Sequence, residues 1–484
     1  MTVSDLASIL PVAIVAGWAC LLLLIDLFIP RGRKGWTAFL AAAGLAAAMG
    51  TLLWGPSAEG GVGFGGMVAA DGFARFLEAV FLLSGLLVVP LTFDYLRRQG
   101  IERGEYYVLL LFSLSGMMLM AQAGDLAIVF LALELLSLPL YVLAGIARPR
   151  LDSEESAMKY FLLGAFASAL LVYGIALAYG ATGSTRFDAI LTAVGSGRVH
   201  LRLLMVAAGL ILGGLGFKVA AVPFHMWTPD VYHGAPSTAS AFMSVGAKAA
   251  GFAALLRVFL AAFPELSPFW APVAMWISAL TMAWGNVAAI AQPNIKRMLA
   301  YSSIAHAGYI LMALAASAEP GVARPATASA AFYLLAYAVT NLGAWGVVIA
   351  LEGAEGRGLT IEDYAGLSWR RPWVALAMAV FMLSLIGVPP TVGFLAKFYL
   401  FRAVLDAGLI WLAIVGVVTS LVSAYYYLRV VVVMYMRAGD PETRSEAWLN
   451  SVIAVTGLGT LLLGLFPGPV LALAEKATLL ALSP

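Results

Sequence analysis

The sequence predicts an all-α polytopic membrane protein of about fourteen transmembrane helices. Three observations carry that class. Of 484 residues, 62% are hydrophobic and 11% charged, whereas a soluble domain carries roughly 25% charged residues. Long apolar runs recur from end to end, separated by short polar or Gly/Pro-rich breaks. The runs lack the alternation of barrel strands, and lipid offers the backbone no hydrogen bonds, so helices are required.

The runs lie near residues 6–29, 36–54, 73–93, 106–121, 125–146, 157–181, 201–231, 235–262, 269–291, 298–317, 327–351, 373–405, 409–436 and 448–474. The first follows Met1–Asp5, which has no basic residue. It therefore reads as a retained span rather than a signal peptide, long enough for about 30 Å of hydrocarbon. The 49 glycines suit close helix contact. A lone Cys20 excludes an intrachain disulfide and a thiolate cluster. Four scattered histidines predict no metal site, and a net charge of +2 gives no reason to expect nucleic acid as a partner.

Lys and Arg set the orientation. With the N-terminus outside, fifteen fall on the inward side, among them Arg31, Arg33, Arg97, Arg103, Lys296, Arg371 and Arg437. Six fall outward: Arg186, Arg198, Arg202, Arg324, Arg402 and Lys476. That bias places both termini outside and requires an even number of spans. No soluble domain is expected in 1–484, because the longest polar loop, Glu352 to Arg371, is too short to fold alone. It and the stretch Arg437 to Glu446 should lie at the inner surface.

Two spans look broken. The seventh runs through Phe217-Lys218-Val219-Ala220-Ala221-Val222-Pro223-Phe224-His225 and then Pro229. The twelfth runs through Gly387-Val388-Pro389-Pro390-Thr391-Val392-Gly393. Proline removes a donor and clashes with the preceding turn. Five spans separate the breaks, so the two helices run in opposite directions. That pattern predicts two inverted five-helix repeats, 106–262 and 269–436, behind an N-terminal three-helix segment, 1–105, and before a final helix, 448–474.

A charged residue at a helix centre costs about 2.5–3.5 kcal/mol on insertion scales. Glu134 sits mid-span with no basic residue nearby in sequence, so its partner must come from another helix. Lys218 just precedes the first break and Lys397 follows the second. Lys248 is flanked by small residues, in Ser244-Val245-Gly246-Ala247-Lys248-Ala249-Ala250-Gly251. His306 shares a helix face with Ser302, and histidine is the side chain that titrates nearest neutrality. Lys159 and His225 are secondary candidates. Lys159 lies near a span end, where snorkelling explains it; Pro223 separates His225 from Lys218. Arg257, Arg429, Asp26 and Asp94 read as anchors, and Asp71 and Glu78 bracket Arg75 in a local charge cluster. Together the mid-span groups suit proton movement. No phosphate-binding G-x-x-x-x-G-K-[ST] loop is present, so direct use of ATP is not expected.

The stretch from Phe217 to Thr238, continuing to Lys248, resembles the antiporter-like membrane subunits of respiratory complex I, the proton-pumping NADH:quinone oxidoreductase. Pro229-Asp230-Val231-Tyr232 followed by Gly234-Ala235-Pro236 is similar to the subunit N branch rather than the L and M branches. The resemblance extends along essentially the whole chain, including Glu134 with Pro139, Tyr301 to His306, and Gly393 to Phe398. It implies fourteen helices with two inverted repeats and broken helices seven and twelve. It also implies proton transfer through Glu134, Lys218, Lys248 and Lys397, with His306 between half-channels. The implied partners are other membrane subunits of complex I within the lipid bilayer, in the cell inner membrane. NAD, FMN, iron–sulfur clusters and quinone belong to partner subunits, with no cofactor in this chain. A subunit of a multisubunit Na⁺/H⁺ antiporter, the matching subunit of a photosynthetic ferredoxin-linked complex, and a non-conducting structural subunit are the alternatives.

Overall fold

The computed structural model describes residues 3–54, 61–197, 199–353 and 356–482. Arg198, one of the cations assigned to the outer side, and the side chain of Arg31 lie outside the described residues. Among the described residues, twelve helices are long and apolar enough to cross a membrane, and two shorter apolar helices complete the series. Numbered in chain order, the spans are one Leu10–Asp26, two Gly35–Trp54, three Gly72–Arg98, four Glu105–Gln122, five Leu126–Ala144, six Leu151–Thr182 and seven Leu201–Val219 with Trp227–Gly234. They continue with eight Ser237–Ala262, nine Ser267–Ile290, ten Ile295–Ala316, eleven Ala323–Leu351, twelve Pro372–Ile386 with Val392–Asp406, thirteen Ile410–Met436 and fourteen Ala447–Leu465. The last expected span ends earlier than its hydropathy suggests: the helix stops at Leu465 and a short one, Gly468–Lys476, follows Pro467.

Short polar residues start the helices. Asp71 accepts from Ala74 N at 2.9 Å, Asp125 from Ala127 N at 2.7 Å, and Asn294 from Lys296 N at 2.9 Å. Each satisfies a first-turn donor that the helix cannot. Glycine sets the closest helix approaches. A Cβ on Gly116 would lie 2.4 Å from Leu136 N, and one on Gly285 would lie 2.6 Å from Ala305 N. Spans four and five, and nine and ten, therefore touch backbone to backbone.

Spans eight, ten and eleven form the centre: 94% of each apolar window is buried, against 28% in spans six and fourteen. Span eight also holds two π-helical turns that the sequence did not announce, Met243–Ala247 just before Lys248 and Val258–Ala262. A π turn inside an α-helix redirects the side chains that follow it.

Both breaks occur where proline predicts them. In span seven the helix ends at Ala220, with φ +61°. The freed Val222 N–H donates to Thr281 Oγ1 at 2.9 Å. In span twelve Gly387 ends the helix with φ +95°, and Gly393 N donates to Ser384 Oγ at 3.1 Å. Side chains thus replace the missing helical partners, which irregular backbone in an apolar bundle requires.

Loop contacts sort the chain into two faces. On one, Arg98 meets Glu446 at 2.6 Å, Gln99 donates to Gly353 O, and Arg444 N donates to Ala350 O. On the other, Gly124 N meets Met67 O, Phe73 N meets Thr478 O, and Thr185 meets Asp125 at 2.9 Å. The first face collects the arginine-rich loops and is called the basic face below.

Several charged residues differ from expectation. Arg257 is not an interfacial anchor. It forms a buried bidentate pair with Asp71, 2.5 and 3.0 Å, and also donates to Ala121 O. Asp71 thus pairs with span eight, while Arg75, whose guanidinium reaches Leu52 O at 2.9 Å, remains with Asp71 and Arg257 in a charge cluster around the buried Glu78. Sequence neighbourhood misleads here because Arg257 is 186 residues away. Lys296 is not a loop cation either. It is 1% exposed and donates to Ala235 O at 2.7 Å, past the end of the second half of span seven. Glu352, expected at a surface loop, is wholly buried.

Breaking a buried pair leaves an uncompensated charge, which costs about 3–5 kcal/mol. Arg257→Ala should therefore lower the thermal midpoint of the purified protein sharply. A conservative surface change such as Arg370→Ala, whose pair with Asp440 is exposed and 3.5 Å long, should leave it nearly unmoved.

Candidate functional site: a buried line of lysines and histidine

Four of the sequence candidates are buried in the bundle: Lys218 is 3% exposed, Lys248 2%, His306 4% and Lys397 5%. Each is held by neutral groups.

Lys218 lies in the last turn before the first break. Its ammonium donates to Ser137 Oγ at 2.8 Å and to Tyr160 OH at 3.0 Å. It also sits over the Tyr160 ring, 5.2 Å from the centroid, and that ring stacks on Trp227 beyond the break. Glu134 does not touch it. Glu134 accepts from Ser168 Oγ at 2.6 Å, on span six. The partner that Glu134 takes from another helix is thus Ser168, and Ser137, three residues along span five from Glu134, receives the Lys218 ammonium. The carboxylate remains on the same helix face, one turn away.

Lys248 donates to the backbone carbonyl of Ser303 on span ten. Gly251, one turn along span eight, lets that helix close onto span seven. A Cβ there would meet the Lys218 stem at 3.4 Å.

His306 is one turn from Ser303. Its Nδ1 pairs with Tyr333 OH at 2.7 Å and its Nε2 with Tyr427 OH at 3.2 Å. Tyr427 OH in turn pairs with Ser302 Oγ at 2.5 Å. The ring of Tyr309 lies between His306 and Lys397, at 5.8 Å from the first and 4.7 Å from the ammonium of the second.

Lys397 follows the second break but reaches back across it. It donates to Ile386 O at 2.8 Å, Leu385 O at 3.1 Å and Ser420 Oγ at 2.7 Å. Those carbonyls end the first half of span twelve, where a helix lacks its own donors and carries partial negative charge. A cation is the natural cap.

The two secondary candidates lie apart from this line. Lys159 is on the basic face, 40% exposed at its side chain, bonded to Asp230 at 2.8 Å and Glu155 at 2.6 Å. Asp230 also holds Arg297 at 2.8 Å. His225 is half-buried beyond the first break, edge-on to Trp284 at 6.0 Å.

Two grooves, about 640 and 600 Å³, are mostly apolar and lie on the bundle's outside, one lined by Trp36 and Phe93 and the other by Trp373 and Leu458. The cavity that matters is small. His306, Tyr333, Tyr337, Thr340, Ser384 and Ala396 line about 10 Å³, near the least that admits one water. Sequence reasoning missed Ser137, Tyr160, Tyr333 and Ser420, which hold the charges. The offset of Ser137 from Glu134 was visible; the others come from distant spans. Among the described residues no cluster of three or more His, Cys, Asp or Glu is placed to bind a metal ion.

Fourteen apolar spans, two broken helices and buried lysines held without counter-ions define an antiporter-like transmembrane protein. Residues 123–423 match the family model described as NADH:quinone oxidoreductase/Mrp antiporter, TM. The chain is 49% identical to NADH-quinone oxidoreductase subunit N of Chloroflexus aggregans, over 98% of this chain and 97% of that one. It is 48% identical to NADH-quinone oxidoreductase subunit N 2 of Roseiflexus castenholzii, over 96% and 95%. A chain of respiratory complex I from Thermus thermophilus, solved with aureothin bound, superposes with TM-score 0.82 at 37% identity, over 96% of this chain and 99% of that one. A chain of the Mrp complex from Dietzia shares the fold, with TM-score 0.84 at 24% identity, over 99% and 97%. The chain belongs to the subunit N family of the NADH-quinone oxidoreductases.

Removing a partner from a buried charged group costs about 1–3 kcal/mol or more. Ser420→Ala should therefore destabilise the protein while Lys397 is present and have a smaller effect in a Lys397→Met background, where only its bond to Ile386 O is lost. A double-mutant cycle read by thermal unfolding measures that coupling.

Proposed function

We propose that this chain carries protons across the membrane through Lys218, Lys248, His306 and Lys397, with Glu134 setting the charge state of the first. The supporting observation is that all three lysines are buried yet donate hydrogen bonds only to hydroxyls and carbonyls. A hydroxyl can donate or accept. A lysine so held keeps hydrogen-bond partners both as ammonium and as amine, whereas one locked to a carboxylate is held as the ion. Tyr333 and Tyr427 flank His306 in the same way, through groups able to reverse a hydrogen bond.

The chemistry is proton exchange between neighbours. Movement of span five relative to span six shifts Glu134, and with it the field at Lys218, because Ser168 holds the carboxylate and Tyr160 holds the amine on the same span six. A change in that field releases or loads the Lys218 proton. Lys248 and His306 pass charge through the centre, and Lys397 exchanges it at the second break. The two breaks support the two inverted five-helix units read from the sequence, 106–262 and 269–436. The driving event arises outside this chain, in partner subunits of an NADH-quinone oxidoreductase that carry NAD, FMN, iron–sulfur clusters and quinone. The chain sits among that complex's other membrane subunits, in the cell inner membrane. The basic face is inward and both termini are outward.

Lys218→Met, Lys248→Met and Lys397→Met, each in the assembled complex, should cut quinone-coupled proton pumping by about a hundredfold, the lower end for loss of a positioned proton-transfer group. Pumping in proteoliposomes, followed with a pH-sensitive dye, checks this, and flux should be the same with and without Na⁺. Unchanged pumping in all three variants would remove the line from the mechanism, and Na⁺-dependent flux would point to antiport.

A further inference from the structure

The two outer grooves flank span fourteen and open at the basic face. The first, about 640 Å³, lies between spans two and three, with Trp448 of span fourteen at its edge. That volume falls within the roughly 300–1,000 Å³ of sites that bury a small molecule. Small residues open it. Gly35, Ala38 and Ala42 recur at three and four along span two, so they share one helix face. Val89, Pro90 and Phe93 of span three form the other wall. A Cβ on Gly35 would lie 2.8 Å from Phe93 Cε2, so the two walls close on each other at that level.

The groove has the depth of one leaflet. It follows span two from Gly35 to Ala42 and span three from Arg97 to Val89. At 1.5 Å per residue these stretches measure about 10 and 12 Å. The hydrocarbon of one leaflet is half of about 30 Å. A partner's spanning helix would be more than twice as long as the groove, whereas an acyl chain anchored at the basic face occupies one leaflet. Trp36 and Trp448 at the rim are exposed, as tryptophans at a membrane–water interface are.

The mouth is positive. Arg33 sits in the turn between spans one and two, and Arg97 in the last turn of span three. Both are exposed, and neither side chain makes an ion pair or a hydrogen bond among the described residues. Arg98, one residue on, is already taken by Glu446 at 2.6 Å. Two arginines stand against one lining carboxylate, Glu102. The second groove differs here: its Arg371 donates to Ser445 Oγ at 3.2 Å and to Asn450 Oδ1 at 3.5 Å. Guanidinium forks match phosphate oxygens, and basic pockets between spans select acidic headgroups.

We propose that the first groove binds an anionic phospholipid of the leaflet at the basic face. Its phosphate sits on Arg33 and Arg97, and one acyl chain lies along Gly35, Ala38 and Ala42. The lipid fills the space between the N-terminal three-helix segment and span fourteen. This site is separate from the line of lysines and does not depend on proton transfer.

The test uses the assembled complex in liposomes of phosphatidylcholine and phosphatidylglycerol. A trace of either lipid carries a diazirine on its acyl chain, and the peptides labelled on illumination are mapped by mass spectrometry. At equal amounts, the phosphatidylglycerol probe should label residues 35–42 and 89–97 at least about fivefold more than the phosphatidylcholine probe, the effect of one basic residue near anionic lipid. Arg33→Ala with Arg97→Ala should abolish that preference. Ala42→Phe, which fills the groove's inner end, should reduce labelling by both probes. Equal labelling by the two probes overturns the headgroup site, as does a preference that survives in the double variant. No labelling by either probe means that a partner subunit covers the groove, which overturns the proposal. If the double variant does not assemble, the single variants decide, and an unchanged preference in both overturns it.

Discussion

A cation inside an apolar bundle needs acceptors, and in this protein the broken or ended helices supply most of them. The last carbonyls of a helix have no intrahelical donor and carry the negative end of its dipole. Lys397 takes Leu385 and Ile386 at the end of the first half of span twelve. Lys296 takes Ala235 beyond the second half of span seven. Arg429 takes Ile290 and Gln292 at the end of span nine. Each interruption that costs helical hydrogen bonds also creates a seat for positive charge. Lys397 follows its break in sequence, yet its ammonium lies at the carbonyl end before it.

Lys218 and Lys248 follow a different rule. Lys218 sits in the final turn of its half-helix but turns away to hydroxyls on spans five and six. Lys248 finds a carbonyl in the middle of span ten, immediately after the π turn in its own helix. These bonds join one span to another rather than capping one helix. In the proposed function, a shift of span five or six alters the environment of Lys218 directly. The aromatic rings at Tyr160 and Tyr309 add cation–π contacts without fixing a proton.

Much of this was legible because lipid restricts the options. Fourteen apolar runs map onto fourteen helical positions, and prolines at 223 and 389–390 mark both interruptions. Mid-span charge singled out Glu134, Lys218, Lys248 and Lys397. Arg257, Lys296 and Glu352 were misplaced for a common reason: each lies near a span end, where sequence suggests solvent or headgroups, while the third dimension covers it with another helix. The fourfold repeat of Tyr333, Tyr337, Asn341 and Trp345 was visible in the sequence, but aromatic and amide side chains at helical spacing do not reveal which face meets a lysine.

The amino-acid order alone determined that the chain is helical, spans a membrane repeatedly, breaks twice and places ionisable groups where lipid would reject them. Those features follow from local chemistry: hydropathy, proline sterics and the expense of unsolvated charge. Partnership was decided only by tertiary structure. Ser137 and Tyr160 reach Lys218 from 81 and 58 residues away, and Tyr427 reaches His306 from 121. Hydrogen bonds act over about 3 Å, and no sequence spacing encodes which distant helices will be brought that close.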